Sequence, residues 1–235
     1  MILNDPEVVR TEYATEHGLE GRRAAYRYAD GPDAREVAFA AIAEGEPARV
    51  LEVGAGPGEL AERIRRELGA AVVAIDISPR MVELARRRGV DARVGDAQDL
   101  PFDDGEFDCA VAAWMLYHVP DVDRAIAELA RVLRPGGRLV AVTNSHRHLA
   151  EIYALLGQER PRYPFSAEDG ESLLLRHFSR VERRNAYGWI NFPDHAAAQA
   201  FVDAMVSLCE GGRLPRGKGS IRVRRAPTIF VAENA

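Results

Sequence analysis

Val50-Leu-Glu-Val-Gly-Ala-Gly-Pro-Gly-Glu-Leu60 decides the fold class of this chain. Val50, Leu51 and Val53 surround a single polar residue, Glu52, which is the pattern of a strand buried on both faces. The run ends in Gly54-Ala-Gly56-Pro-Gly58, a turn nearly bare of side chains, and then enters a helix-forming stretch. Strand, glycine turn and helix in that order make the first unit of an open parallel α/β sheet, whose ligands lie at the carboxyl ends of the strands. A small molecule can rest against such a turn, with the acid two residues before it close by.

Working outward, Ala71-Val-Val-Ala-Ile-Asp76 reads as a second buried strand that ends in an acid. Ser78-Pro79 follows, and proline at a first helical position makes Ser78 the cap, which leaves Asp76 for a ligand. Gly95-Asp96-Ala97-Gln98-Asp99-Leu100-Pro101-Phe102 is a third strand-end segment with its own acid. Phe107 to Trp114 reads as a fourth apolar strand, and Leu133-Arg-Pro-Gly-Gly-Arg-Leu-Val140 as a helix stop leading into a fifth. The alternation of strands and helices over 48–144 predicts a parallel sheet. Beyond Ser166 the pattern predicts a helix (167–177), a strand (180–187), a helix (193–209) and a last strand (221–232). Residues 6–44 read as helix in two pieces broken at Asp30-Gly31-Pro32.

A glycine turn also opens dinucleotide-binding folds. That fingerprint wants a third glycine where this chain has Glu59, and it has no use for the Asp96-Ala97 segment. A phosphate loop needs a lysine, and none stands near the turn. The ordered set of motifs, over roughly 48–143, resembles the class I S-adenosylmethionine-dependent methyltransferases, in particular their small-molecule branch. The resemblance implies a Rossmann-like, seven-stranded, mostly parallel sheet with helices on both faces and the last strand inserted antiparallel. It also implies a helical cap over 1–45, a methyltransferase domain over 46–235, and a lid-like insertion at about 188–220. Two rivals are an NAD-dependent oxidoreductase and a protein that binds the cofactor without turnover.

Carried over residue by residue, the resemblance implies that Gly54 and Gly56, with Ala55 and Gly58, form the turn at the methionine part of S-adenosylmethionine. Glu52 would meet its ammonium and Asp76 its ribose hydroxyls. Ile77 and Met81 would pack on the adenine, Asp96 would accept a hydrogen bond from its exocyclic amine and the backbone of Ala97 would reach a ring nitrogen, with Gln98 and Ala113 completing the cofactor site. Tyr13 and Arg23 are candidates for the methionine carboxylate, set against aromatic packing and a solvated arginine. The cofactor is a cation with a zwitterionic tail and no phosphate, so acids at three strand ends suit it.

His118 follows the fourth strand and is the candidate general base, with a capping or backbone-bonding role as the other reading; Tyr117 is a candidate to orient the substrate, or else packs. His146 and His148 lie past the fifth strand and are candidates for substrate contact; no third ligand is evident for a metal. The Asn-Pro-Pro-Tyr motif of planar-amine methylation is absent, and Ala112-Ala113-Trp114-Met115 stands in its place, which favours a small-molecule acceptor. Arg213 to Arg225 is basic throughout, with Arg222 and Arg224 on one face of a strand, and suits either an anionic acceptor or a solvated edge.

A net charge of −5 argues against general affinity for nucleic acid or anionic membrane. No apolar run has the length of a membrane span, and Met1-Ile-Leu-Asn-Asp-Pro6 lacks a basic region followed by an apolar core, so a cytoplasmic location is expected. Cys109 and Cys209 form no disulfide or zinc pattern. The oligomeric state is not encoded in any of these features.

Overall fold

The computed structural model describes residues 24–160, 162–205, 212–217 and 219–235. Strands β1 (Arg49–Val53), β2 (Ala71–Asp76), β3 (Asp91–Val94), β4 (Phe107–Ala113) and β5 (Leu133–Asn144) pair in parallel. Strand β9 (Pro227–Glu233) runs antiparallel between β5 and β6 (Arg180–Asn185). The seven strands take the order β3-β2-β1-β4-β5-β9-β6, the mostly parallel Rossmann-like sheet expected from the sequence, with the last strand inserted antiparallel. The chain reverses its direction of growth between β1 and β4, and the ends of those strands therefore flank a crevice.

Both faces of the sheet are covered. Val50, Val72, Val111, Val140 and Ile229 pack against helices α1 (Ala34–Ala43), α2 (Glu59–Leu68) and α3 (Pro79–Arg87). Leu51, Phe107, Leu139 and Phe230 pack on the other face against α4 (Val122–Arg131) and α6 (Gly170–Leu174). Burial on both faces explains why β1, β2 and β4 read as continuous apolar runs. Helix α3 starts as its sequence requires: the Ser78 hydroxyl accepts the Met81 N–H at 3.4 Å and Pro79 occupies the first helical position. The break at Asp30-Gly31-Pro32 lies between a short 3-10 turn (Tyr26–Tyr28) and α1; the part of the N-terminal helical segment before residue 24 lies outside the described residues.

The end of the chain differs from expectation. The single strand expected over 221–232 is two strands, β8 (Ile221–Arg225) and β9, separated at Ala226. Strand β8 pairs with β7 (Gly188–Phe192), absent from the sequence reading, in a second, two-stranded sheet. The physical reason is in the pattern: Ile221-Arg-Val-Arg alternates and is half buried, whereas Pro227 to Ala232 is apolar except for Thr228 and buried on both faces. The helix expected over 167–177 shrinks to Gly170–Leu174, because the Ser166 hydroxyl takes the N–H groups of Glu168 and Asp169 and sets a turn ahead of it. The helix expected over 193–209 spans His195–Asp203 as α7, capped by Asp194; residues 206–211 lie outside the described set. Together with α5 (Ala150–Leu156), these pieces build a small core of their own around Ile152, Ile190, Phe201 and Val223.

Candidate active site

The main chain of the glycine turn is anchored from the neighbouring strand: the N–H groups of Gly54 and Ala55 both donate to the Ile75 carbonyl, at 2.7 and 3.1 Å. Gly56 has φ +55°, and a Cβ there would meet no atom within 4 Å, so the turn presents bare backbone to open space. Gly58 has a different task. Its φ is +77° and a Cβ would come within 2.7 Å of the Ala85 methyl, so it lets α2 lie against α3 rather than lining the site. Met81 is likewise buried in α3 and outside the cavity wall.

Asp76 closes the turn from β2. Its Oδ2 accepts the Gly56 N–H and its Oδ1 the Ser78 N–H, each at 2.8 Å. Burial nevertheless holds this carboxyl above the ordinary aspartate range, with the two N–H bonds opposing the shift. Ser78 caps α3 as expected, yet Asp76 is engaged by main chain; each carboxylate oxygen keeps a second lone pair for a ligand. Glu52 lies deeper. It is 3% exposed, and its Oε2 has no hydrogen-bond partner among the described residues. Burial pushes its carboxyl up to about 8; the Ala61 N–H opposes this, and the charges of Asp76 and Glu59 add to it.

At the third strand end, Asp96 accepts the Gln98 N–H at 2.9 Å and its side-chain amide at 3.1 Å, and Gln98 in turn accepts the Asp121 N–H at 3.0 Å. Asp121 caps α4, so this chain of bonds ties the β3 exit to the start of that helix. At the fourth, Trp114 takes a left-handed conformation, φ +55°, while its N–H still donates to Val142. That turn leads into the 3-10 segment Leu116–His118, where the Tyr117 and His118 rings meet edge to face at 4.5 Å. Tyr117 also lies 5.2 Å from Tyr163.

These groups surround one cavity of about 680 Å³. Glu52, Gly54, Ala55, Gly56, Asp76, Ile77, Asp96, Ala97, Gln98, Ala113, Tyr117 and His118 all line it. Tyr13 and Arg23 lie outside the described residues.

The far wall is built by residues that local motifs do not mark, among them Tyr26, Tyr163, Phe201, Met205 and Arg225. They come from four separated stretches, and only Phe201 and Met205, four residues apart, are joined by a spacing rule. The basic segment divides. Arg222 and Arg224 stack over the Trp189 ring of β7, at 4.3 and 4.9 Å, and do not line the cavity. Arg225 does, 3% exposed, with its guanidinium donating to the carbonyls of Asp30 (3.1 Å) and Pro32 (3.0 Å).

The two histidines past β5 also divide. His148 lines the cavity, its Nδ1 accepting the Ala226 N–H at 3.0 Å. Burial, aided by Arg225, depresses its pKa to about 3, so the ring is neutral and its proton sits on Nε2. His146 borders a separate depression with Arg147, Arg160 and Glu168, and stacks on Tyr163 at 6.3 Å. Among the described residues no group of three or more His, Cys, Asp or Glu is arranged to hold a metal, and no helix is long and apolar enough to cross a membrane.

Comparison with known proteins accords with this geometry. A family model described as a methyltransferase domain matches residues 51–141. The chain is 43% identical over 119 residues to the ubiquinone biosynthesis O-methyltransferase of Xanthomonas oryzae pv. oryzae, a match covering 48% of this chain and 49% of that protein. It thus spans about half the length of that relative. It is 34% identical over 182 residues to the demethylmenaquinone methyltransferase of Thermobifida fusca, covering 72% of this chain and 73% of that one. Among solved structures, an S-adenosylmethionine-dependent methyltransferase from Thermotoga maritima, described as a possible histamine N-methyltransferase, superposes with a TM-score of 0.60 at 21% identity. That match covers 92% of this chain and 95% of the other.

Proposed function

Because the chain belongs to the class I S-adenosylmethionine-dependent methyltransferases, we propose that it moves a methyl group from S-adenosylmethionine to a small, anionic acceptor. The observation that carries this reading is Glu52: a buried carboxyl with an unpartnered Oε2, lining the cavity beside the bare backbone of Gly56. An orphaned buried acceptor is costly in an empty protein and suits a ligand that brings a cationic donor. The residues present therefore fit the cofactor. Glu52 would take its ammonium, the second lone pairs of Asp76 its ribose hydroxyls, and Asp96, Ala97, Gln98 and Ile77 its adenine, with Ala113 closing the wall. Tyr13 and Arg23 remain proposals for its carboxylate.

The bound cofactor supplies a methyl on a positively charged sulfur, open to in-line displacement. What the chain contributes is alignment and exclusion of water. Tyr117 and His118 project from the β4 exit into the same cavity, Tyr117 to orient the acceptor and His118 to take its proton when the nucleophile is a hydroxyl. We also take residues 1–45 as a helical cap and 46–235 as the methyltransferase domain, with a lid-like insertion at about 188–220. In this reading the protein works in the cytoplasm, without nucleic acid or membrane as partner, in line with its net charge of −5.

The test is calorimetric titration of S-adenosylmethionine, S-adenosylhomocysteine and NAD into the purified protein. Micromolar binding of both sulfur nucleosides and none of NAD is expected. Binding of NAD alone would overturn the reading.

A further inference from the structure

The cavity is also lined by three polar groups whose bonding is incomplete. They are organised by one main-chain residue. Ala226, where β8 gives way to β9, donates its N–H to His148 Nδ1 at 3.0 Å and accepts the Ser145 N–H at 2.8 Å. Arg225 precedes it, and Asn144 stands opposite Pro227 in the β5–β9 register. Asn144, His148 and Arg225 are thereby brought to one patch of the wall.

Each presents a defined chemistry. The Arg225 guanidinium is buried with two main-chain carbonyls for partners and no carboxylate in ion-pair contact among the described residues. Two of its N–H groups are committed, which leaves others for a ligand. His148, bonded at Nδ1, offers an Nε2–H with no acceptor among the described residues. Asn144 Oδ1 is buried and unpartnered, an acceptor waiting for a donor. A buried cation, a neutral N–H and an orphan carbonyl oxygen are costly together unless something satisfies them. Phe201 and Met205 add apolar surface to the same cavity.

We propose that Arg225, His148 and Asn144 form an acceptor-recognition cluster for a small carboxylic acid that also bears a hydroxyl or amine hydrogen. Arg225 and His148 Nε2–H hold the carboxylate; Asn144 Oδ1 accepts the hydrogen of the hydroxyl or amine that is to be methylated. The carboxylate is the handle and not the nucleophile. This rests on the methyltransferase reading and narrows its acceptor. It also explains why Arg222 and Arg224 are spent on Trp189 while Arg225 turns inward.

The experiment titrates matched pairs, 4-hydroxybenzoate against 4-hydroxybenzamide and 3-hydroxybutyrate against 3-hydroxybutyramide, into the protein with and without S-adenosylhomocysteine. At least one acid is expected to bind about tenfold or more tightly than its amide. Arg225→Gln should erase that preference while S-adenosylhomocysteine affinity stays within about twofold. Where Arg225→Gln fails to fold, the isosteric Asn144→Asp serves, since its added charge should lower acid affinity by a similar factor. Equal binding of acid and amide, a preference that survives Arg225→Gln, or no acid binding to the protein would each overturn the proposal. Failure of S-adenosylhomocysteine itself to bind marks failure of the cofactor reading instead, and the titrations without it still report the acid preference.

Discussion

The two sides of the cavity are built in opposite ways. The side under β1 to β4 comes from short, contiguous pieces, each a strand running into its own turn: Glu52 to Gly56, Asp76 to Ser78, Asp96 to Gln98, Ala113 to His118. The other side is assembled from Tyr26, Asn144, His148, Tyr163, Phe201 and Arg225, held by a two-stranded sheet and two helices with their own small core. Parallel strands that end on one edge bring their turns together automatically, so the first side needs only local sequence. The second needs long-range contacts such as Arg225 to the carbonyls of Asp30 and Pro32. A constant side for a constant ligand and a freely assembled side for a particular one is what a family with a shared cofactor and diverse acceptors requires.

Each half can be attacked separately. The largest effect is expected where the halves meet. For a hydroxyl acceptor, His118→Ala should lower kcat by about 10²–10⁴-fold with S-adenosylhomocysteine affinity nearly unchanged. Unchanged turnover would leave positioning alone as the catalytic device. Next is Asp76→Ala, which removes the acceptor of the Gly56 and Ser78 N–H groups as well as the proposed ribose contact. Calorimetry should show S-adenosylhomocysteine weakened about 100-fold, and an unaltered affinity would break the assignment of this half.

Glu52 sharpens the comparison through pH. Its folded carboxyl titrates near 8 against an ordinary 4.5, so the folded chain holds the extra proton between those values. The stability of the ligand-free protein should therefore fall as pH rises across that window, and Glu52→Gln should flatten the curve in thermal melts. Pairing with the ligand's ammonium requires the ionised form. Affinity for S-adenosylhomocysteine should then rise by up to about tenfold per pH unit below 8, with a proton released on binding. Calorimetry in two buffers of different ionisation enthalpy counts that proton.

The smallest effect concerns motion. The β7–β8 sheet has two strands and a small core, so its amides should exchange faster than those of β4 in the free protein and slow when cofactor product and acceptor bind together. Exchange rates equal to those of β4 would mean that the two halves are one cooperative unit.

How legible each half is in the sequence follows from the same contrast. The cap at Ser78 and the turn at Asp96 are readable because their partners lie within a few residues; the bare turn at Gly56 is readable from its glycines, although the acceptor of its N–H, Asp76, lies on the next strand. Even there the reading stops short: Gly58 turned out to serve helix packing, and Asp76 braces the turn it follows. Strand β7 has no local mark because Gly188-Trp-Ile-Asn-Phe192 has no turn signal joining it to β8, which lies beyond α7 in the chain. The division at Ala226 leaves a trace, the change from alternating to mostly apolar residues, but a strand that leaves one sheet and enters another has no further local mark.

By itself the sequence determined the parallel core and the glycine turn, with the cofactor family these imply, because periodicity and turn chemistry act over neighbouring residues. Tertiary structure alone decided which of three basic residues in Arg222-Val-Arg224-Arg225 faces the cavity, and which of His146 and His148 joins it. It also set the His148 tautomer through the Ala226 N–H. Those outcomes depend on what lies across the wall, and burial and the partners of a polar group are properties of the folded neighbourhood rather than of the adjoining chain.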